Sequence, residues 1–117
     1  MVTENVSARE KVNNYELTVI FKGDLSEEKL TAAIENVKKF IAGKGGAVSD
    51  AKSWGKRRLA YPIKHFNEGN YILFKFTMKP GMNRELETSL RISEDVLRHL
   101  LVKLDWHVEY DLSPDTR

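Results

Sequence analysis

Tyr15-Glu16-Leu17-Thr18-Val19-Ile20-Phe21 is the stretch on which the fold of this chain turns. β-Branched and aromatic residues fill it, and Tyr15, Leu17, Val19 and Phe21 fall on one side at a period of two, the pattern of a half-buried strand. Three residues further on, the period changes. Asp24 and Ser26 offer helix N-caps, Glu27 and Glu28 put negative charge in the first turn, and Leu30, Ala33, Ile34, Val37 and Ile41 recur at helical spacing until Gly43. The spacing predicts an amphipathic helix of about four to five turns, at ~3.6 residues per turn. Upstream, residues 1–14 read as a mobile arm without the apolar core of a secretory signal.

Downstream, Gly45-Gly46 turns the chain into a long extended segment, Ala47–Ile63. Leu59, Tyr61 and Ile63 alternate there, Gly55 marks a bulge, and Pro62, which cannot donate to a ladder, argues for a sheet edge. Asn67–Asn70 is expected to be a turn and Tyr71–Lys79 an aromatic-rich strand. Pro80-Gly81 breaks the chain, Asn83 can cap a short helix carrying Leu86 and Leu90, and the nearly continuous apolar run Val96–Leu104 reads as a strand. The order β-α-β-β-α-β predicts an α+β, ferredoxin-like fold: a four-stranded antiparallel sheet with both helices on one face. Its first and third strands are central, its second lies at an edge, and its other face is left uncovered. The domain is placed at residues 15–105. A short acidic tail, 106–117, follows, in which Trp106, Val108 and Tyr110 can dock.

A length of 117 residues with 41% hydrophobic content suits one domain with a real core. The absence of cysteine excludes disulfides, thiolate-bound zinc, iron–sulfur clusters and thiol nucleophiles. No apolar run approaches the ~20 residues of a membrane span, so a small soluble intracellular domain is expected. A net charge of +2 decides little, but its distribution is uneven. Lys52–His65 holds Lys52, Lys56, Arg57, Arg58 and Lys64 with no acid, whereas Asp105–Arg117 holds Asp105, Glu109, Asp111 and Asp115 against Arg117.

His65, His99 and His107 lack metal-ligand spacing, no G-x-S-x-G elbow is present, and Gly43–Gly46 lacks the G-K-[ST] of a phosphate loop. Glu27/Glu28 and Glu85/Glu87 fall on solvent faces of helices. No catalytic residue, metal or cofactor is expected. The dense feature is Trp54-Gly-Lys-Arg-Arg-Leu-Ala-Tyr-Pro-Ile63. Alternation puts Lys56 and Arg58 on one side of a strand and Arg57 on the other, unless the bulge redirects one. Charges and proline protect a bare sheet edge from aggregation. Arginines also pair bidentately with phosphate, and Tyr61 can stack a base. The residues alone leave both readings open.

Gly55–Ile63, with Trp54 ahead of it, closely resembles the signature of the bacterial small-subunit ribosomal protein S-six (S6) family. The resemblance runs from about Tyr15-Glu16 to Lys103. It includes Gly45-Gly46, the strand Tyr71–Phe76, Leu86-Glu-Thr-Ser-Leu-Arg-Ile92 and Val96-Leu-Arg98. It implies a ferredoxin-like, cofactor-free, non-enzymatic structural protein of the cytoplasmic small ribosomal subunit. Such a protein binds the central domain of small-subunit ribosomal RNA together with ribosomal protein S-eighteen (S18). Two departures stand out. About a dozen residues precede Tyr15, with Asn13-Asn14 where family members carry a basic residue. The long acidic C-terminal tail of some relatives is replaced by a short one with Trp106.

On this reading Lys56, Arg57 and Arg58, with Tyr61 and Lys64 of the same segment and Arg91 and Arg98 from the second helix and last strand, are the expected RNA contacts. Ile20, Tyr71, Leu73 and Leu101 are expected on the uncovered face as the docking site for S18, unless the tail folds back and Trp106 covers it. Two alternatives share the topology. An acylphosphatase-like enzyme needs a phosphate-cradling glycine loop, and Phe21–Leu25 offers only Gly23. A stand-alone RNA-recognition-motif-type binder needs aromatics on the two central strands, and the outward set Glu16, Thr18 and Ile20 supplies no stacking platform.

Overall fold

The computed structural model describes residues 12–104. Its elements run β1 (Asn13–Lys22), α1 (Glu27–Gly43), β2 (Ala47–Ile63), β3 (Phe66–Met78), α2 (Asn83–Ile92) and β4 (Val96–Leu104). The strands form one antiparallel sheet in the order β2-β3-β1-β4, the expected ferredoxin-like topology with β2 at an edge. Arm residues 1–11 and the tail 106–117 lie outside the described residues; Asn13 and Asn14, expected in the arm, begin β1 opposite Met78 and Thr77.

Alternation along β1 sorts the molecule into two sides. Tyr15, Leu17, Val19 and Phe21 are buried with Ile72, Phe74, Phe76 and Met78 of β3, and both helices close over them with Val37 and Ile41 of α1 and Leu86 and Leu90 of α2. Each large apolar side chain moved from water contributes about 1.5–3 kcal/mol, so this layer dominates the stability of the fold. Ser26 caps α1 by accepting from the Lys29 amide at 3.2 Å, with Glu27 and Glu28 in the first turn as the helix dipole favours.

Two local expectations fail for identifiable reasons. Asn67–Asn70 is not a turn but part of β3. The reversal is the two-residue loop Lys64-His65, whose φ values of 51° and 71° place both residues in the left-handed region that such a hairpin needs. The polar residues serve the sheet instead: buried Asn70 donates from Nδ2 to the Lys22 carbonyl at 2.9 Å, and Gly69 leaves room for the Ile20 side chain packed against it. Asn83 is not a cap either; it is already helical, and Met82 occupies the cap position without a side-chain hydrogen bond.

Candidate nucleic-acid and protein interface

The β2–β3 hairpin outruns the rest of the sheet. Pairing of β1 with β3 ends at Lys22 opposite Gly69, while β2 and β3 continue to Ile63 opposite Phe66. Register shifts along β2, at Val48/Asp50, Ser53/Gly55 and Arg58/Ile63, each strengthen the local twist. The hairpin end therefore bends across the face away from the helices. Leu59 is 8% exposed there and lies with Ile20 beside Gly69. The bend carries the tip as far as β4, two strands beyond β3. Arg98 Nη1 donates to the Tyr61 hydroxyl at 2.6 Å, and Lys64 Nζ donates to the Val96 carbonyl at 3.3 Å.

This latch brings together residues far apart in sequence. Tyr61, Lys64 and Arg98 meet at one end of the outer face, with Arg57 paired opposite Gly69 in the same end rows. Lys22, opposite Gly69 on the other side, sets its ammonium 5.7 Å from the Phe66 ring centre. Lys56 and Arg58 go to the other side, as alternation requires, and line a hollow of about 520 Å³ with Asp24, His65, Phe66 and Glu68. Arg91 is exposed in the last turn of α2, where a cation suits the helix dipole, and belongs to the helix layer rather than to the latch.

The outer face beyond the latch is mixed. Residues directly opposite one another in an antiparallel ladder share a face. One row runs Lys52, Leu73, Thr18, Leu100, and the next Asp50, Lys75, Glu16, Val102. Ile20 and Tyr71 pair in a third row with Arg98 beyond them, all outward as expected. Leu101 is not. It pairs with Leu17 and packs against the core beneath the helices, because β4 meets β1 in the register that sends Leu100 and Val102 outward. Those two side chains are 63% and 42% exposed and complete the strip that Leu101 was expected to join. Alternation ties Arg98, Leu100 and Val102 to one face, but both parities of β4 carry leucine, and it is the pairing with β1 that turns this set outward. Lys75 and Glu16 form an ion pair across the strip at 3.8 Å. Trp54, 46% exposed at the β2 bulge, also went unassigned in sequence.

Among the described residues no group of three or more His, Asp or Glu could hold a metal ion, and no helix is long and apolar enough to cross a membrane. Residues 14–103 match the family described as Ribosomal protein S6. The chain is 43% identical over 96 residues to the small ribosomal subunit protein bS6 of Dehalococcoides mccartyi strain CBDB1, a match covering 82% of this chain and 88% of that protein. It is 44% identical over 91 residues to its counterpart from Clostridium novyi, covering 78% and 96%. The fold superposes on the crystal structure of 30S ribosomal protein S6 from Thermotoga maritima with a TM-score of 0.76 at 29% identity, covering 84% of this chain and 92% of that one.

Proposed function

Because this chain belongs to the ribosomal protein S6 family, we propose that it binds the central domain of small-subunit ribosomal RNA together with ribosomal protein S18. Membership itself makes the chain a ribosome-associated structural constituent of the cytoplasmic small subunit, acting in translation and not as an enzyme. The finer reading assigns RNA to the latched hairpin and its basic flanks, and S18 to the strip of Ile20, Tyr71, Leu73, Leu100 and Val102.

The observation that carries it is the hairpin latch. It gathers Tyr61, Lys64 and Arg98 at the end of an apolar strip on one face, with Arg57 in the neighbouring row of the ladder, so one partner can span charge and apolar surface together. An exposed apolar strip rimmed by charge is the usual mark of an interaction surface. The outer side chains of β1 include no aromatic residue, so the stacking platform of a stand-alone RNA-recognition module has no support.

Two measurements test the two halves. Charge reversal at Arg57 and Arg58 should weaken RNA binding and shallow its salt dependence by ~0.7–0.9 per lost phosphate contact; unchanged affinity and slope would remove the RNA surface. Leu73→Asp should weaken association with S18 by about ten- to a hundredfold, the equivalent of one buried leucine, while the chain stays folded. Undiminished heterodimer affinity by calorimetry would remove the docking face.

A further inference from the structure

Trp54 keeps 46% of its surface in water on an edge strand, an expensive place for the largest flat side chain available. Its position is built. Ser53 pairs with Ile72 and Gly55 with Tyr71, so Trp54 is the extra residue of a bulge with no partner of its own on β3. Gly55 supplies the required φ of +86°, and its amide donates to Ser53 Oγ at 3.2 Å, which pins the kink. Bulges re-aim side chains in this way. At this kink, on the edge strand of the sheet, the Trp54 side chain stays half in water.

Arg57 comes back to the same spot. Its Nε donates to the Trp54 carbonyl at 3.3 Å, so the guanidinium lies along the backbone of residue 54 rather than extending from its own position. That bond uses one of five N–H groups and leaves both terminal nitrogens to grip an anion. Lys52 stands in an outward row two residues before Trp54, and no acid occurs between Lys52 and His65. Protection of the edge needs charge, proline or a bulge, all present here, but has no use for an exposed indole. An exposed indole whose own backbone carbonyl holds a guanidinium is the equipment for a nucleobase and its phosphate.

We propose that Trp54 and Arg57 form a single-nucleotide site, in which the indole stacks an unpaired RNA base and the guanidinium pairs with the adjoining phosphate. The inference rests on the RNA-binding reading and specifies it. The test uses the full chain carrying Trp106→Phe, in which Trp54 is the sole tryptophan of the original two. Deproteinised small-subunit ribosomal RNA is added, and tryptophan fluorescence and cosedimentation are followed on the same samples.

Trp54 emission should fall in step with the bound fraction. Trp54→Ala should weaken binding about 5- to 150-fold with an unchanged salt slope, Trp54→Phe should recover most of the loss, and Arg57→Ala should flatten the slope by ~0.7. RNA bound with undimmed Trp54 emission overturns the stacking site and leaves RNA binding standing. Emission quenched by added S18 but not by RNA overturns it in favour of a protein contact. Failure of the unaltered chain to bind RNA even with S18 present removes both readings. The fluorescence measurement needs no change at residue 54, so its outcome does not depend on whether the alanine variant folds.

Discussion

On the helix side of β1, Tyr15, Leu17, Val19 and Phe21 are all 5% exposed or less; on the other side the same ten-residue strand presents Glu16, Thr18 and Ile20, each partly in water. The two faces share every backbone hydrogen bond and differ only in side chains. The inner face is apolar without interruption and is covered by two helices. The outer face interleaves apolar residues with charge, including the Lys75–Glu16 pair, and is crossed at one end by a hairpin from the far edge. An exposed ion pair contributes about 0–1 kcal/mol, so those charges do little for stability. Charges on an exposed face keep it soluble. The division lets one sheet hold the fold together on one side while the other side is free to carry recognition.

The contrast can be broken most forcefully from inside. Phe74 is fully buried, and Phe74→Ala should cost about 3–5 kcal/mol in chemical denaturation through lost transfer energy and the cavity left behind. A smaller loss would mean that the helices collapse readily onto the sheet. Neighbouring residues of β4 then sharpen the boundary. Leu101→Asp drives a carboxylate under the helices and should destabilise the fold by about 1–3 kcal/mol, whereas Leu100→Asp, one residue earlier, should stay within about 0.5 kcal/mol. Equal effects in thermal unfolding would show that the β1–β4 register is wrong by one. A small effect also belongs to the latch. Tyr61→Phe removes only the hydroxyl that accepts from Arg98, both residues are exposed, and unfolding should shift by less than about 1 kcal/mol. A larger shift would make the latch a stabilising element of the fold rather than an arrangement of the outer face.

Much of this was legible in the chain before any coordinates. Val19 and Ile72 announced their side by alternation, and Pro62 announced its edge. Family membership rested on the run from Trp54 to Ile63 and held over residues 14–103. Other features were not legible. The hairpin turns at Lys64-His65, two residues with no turn signature, while the turn-like Asn67–Asn70 is held in β3 by a side-chain bond to a residue 48 positions away. In β4 both parities carry leucine, so local pattern could not separate Leu100 from Leu101.

The amino-acid sequence by itself determined the order of elements, the helix-facing sides of β1 and β3, the edge position of β2 and the family, because period, capping and motif are properties of neighbours along the chain. Only the tertiary structure decided the register of β4, the bend of the hairpin across the outer face, the Tyr61–Arg98 contact and the outward aim of Trp54. Those depend on which strand lies alongside which, and on twist accumulated over three register shifts. A one-residue change in pairing reverses the face of every side chain it touches, and nothing within a single strand records which pairing will win.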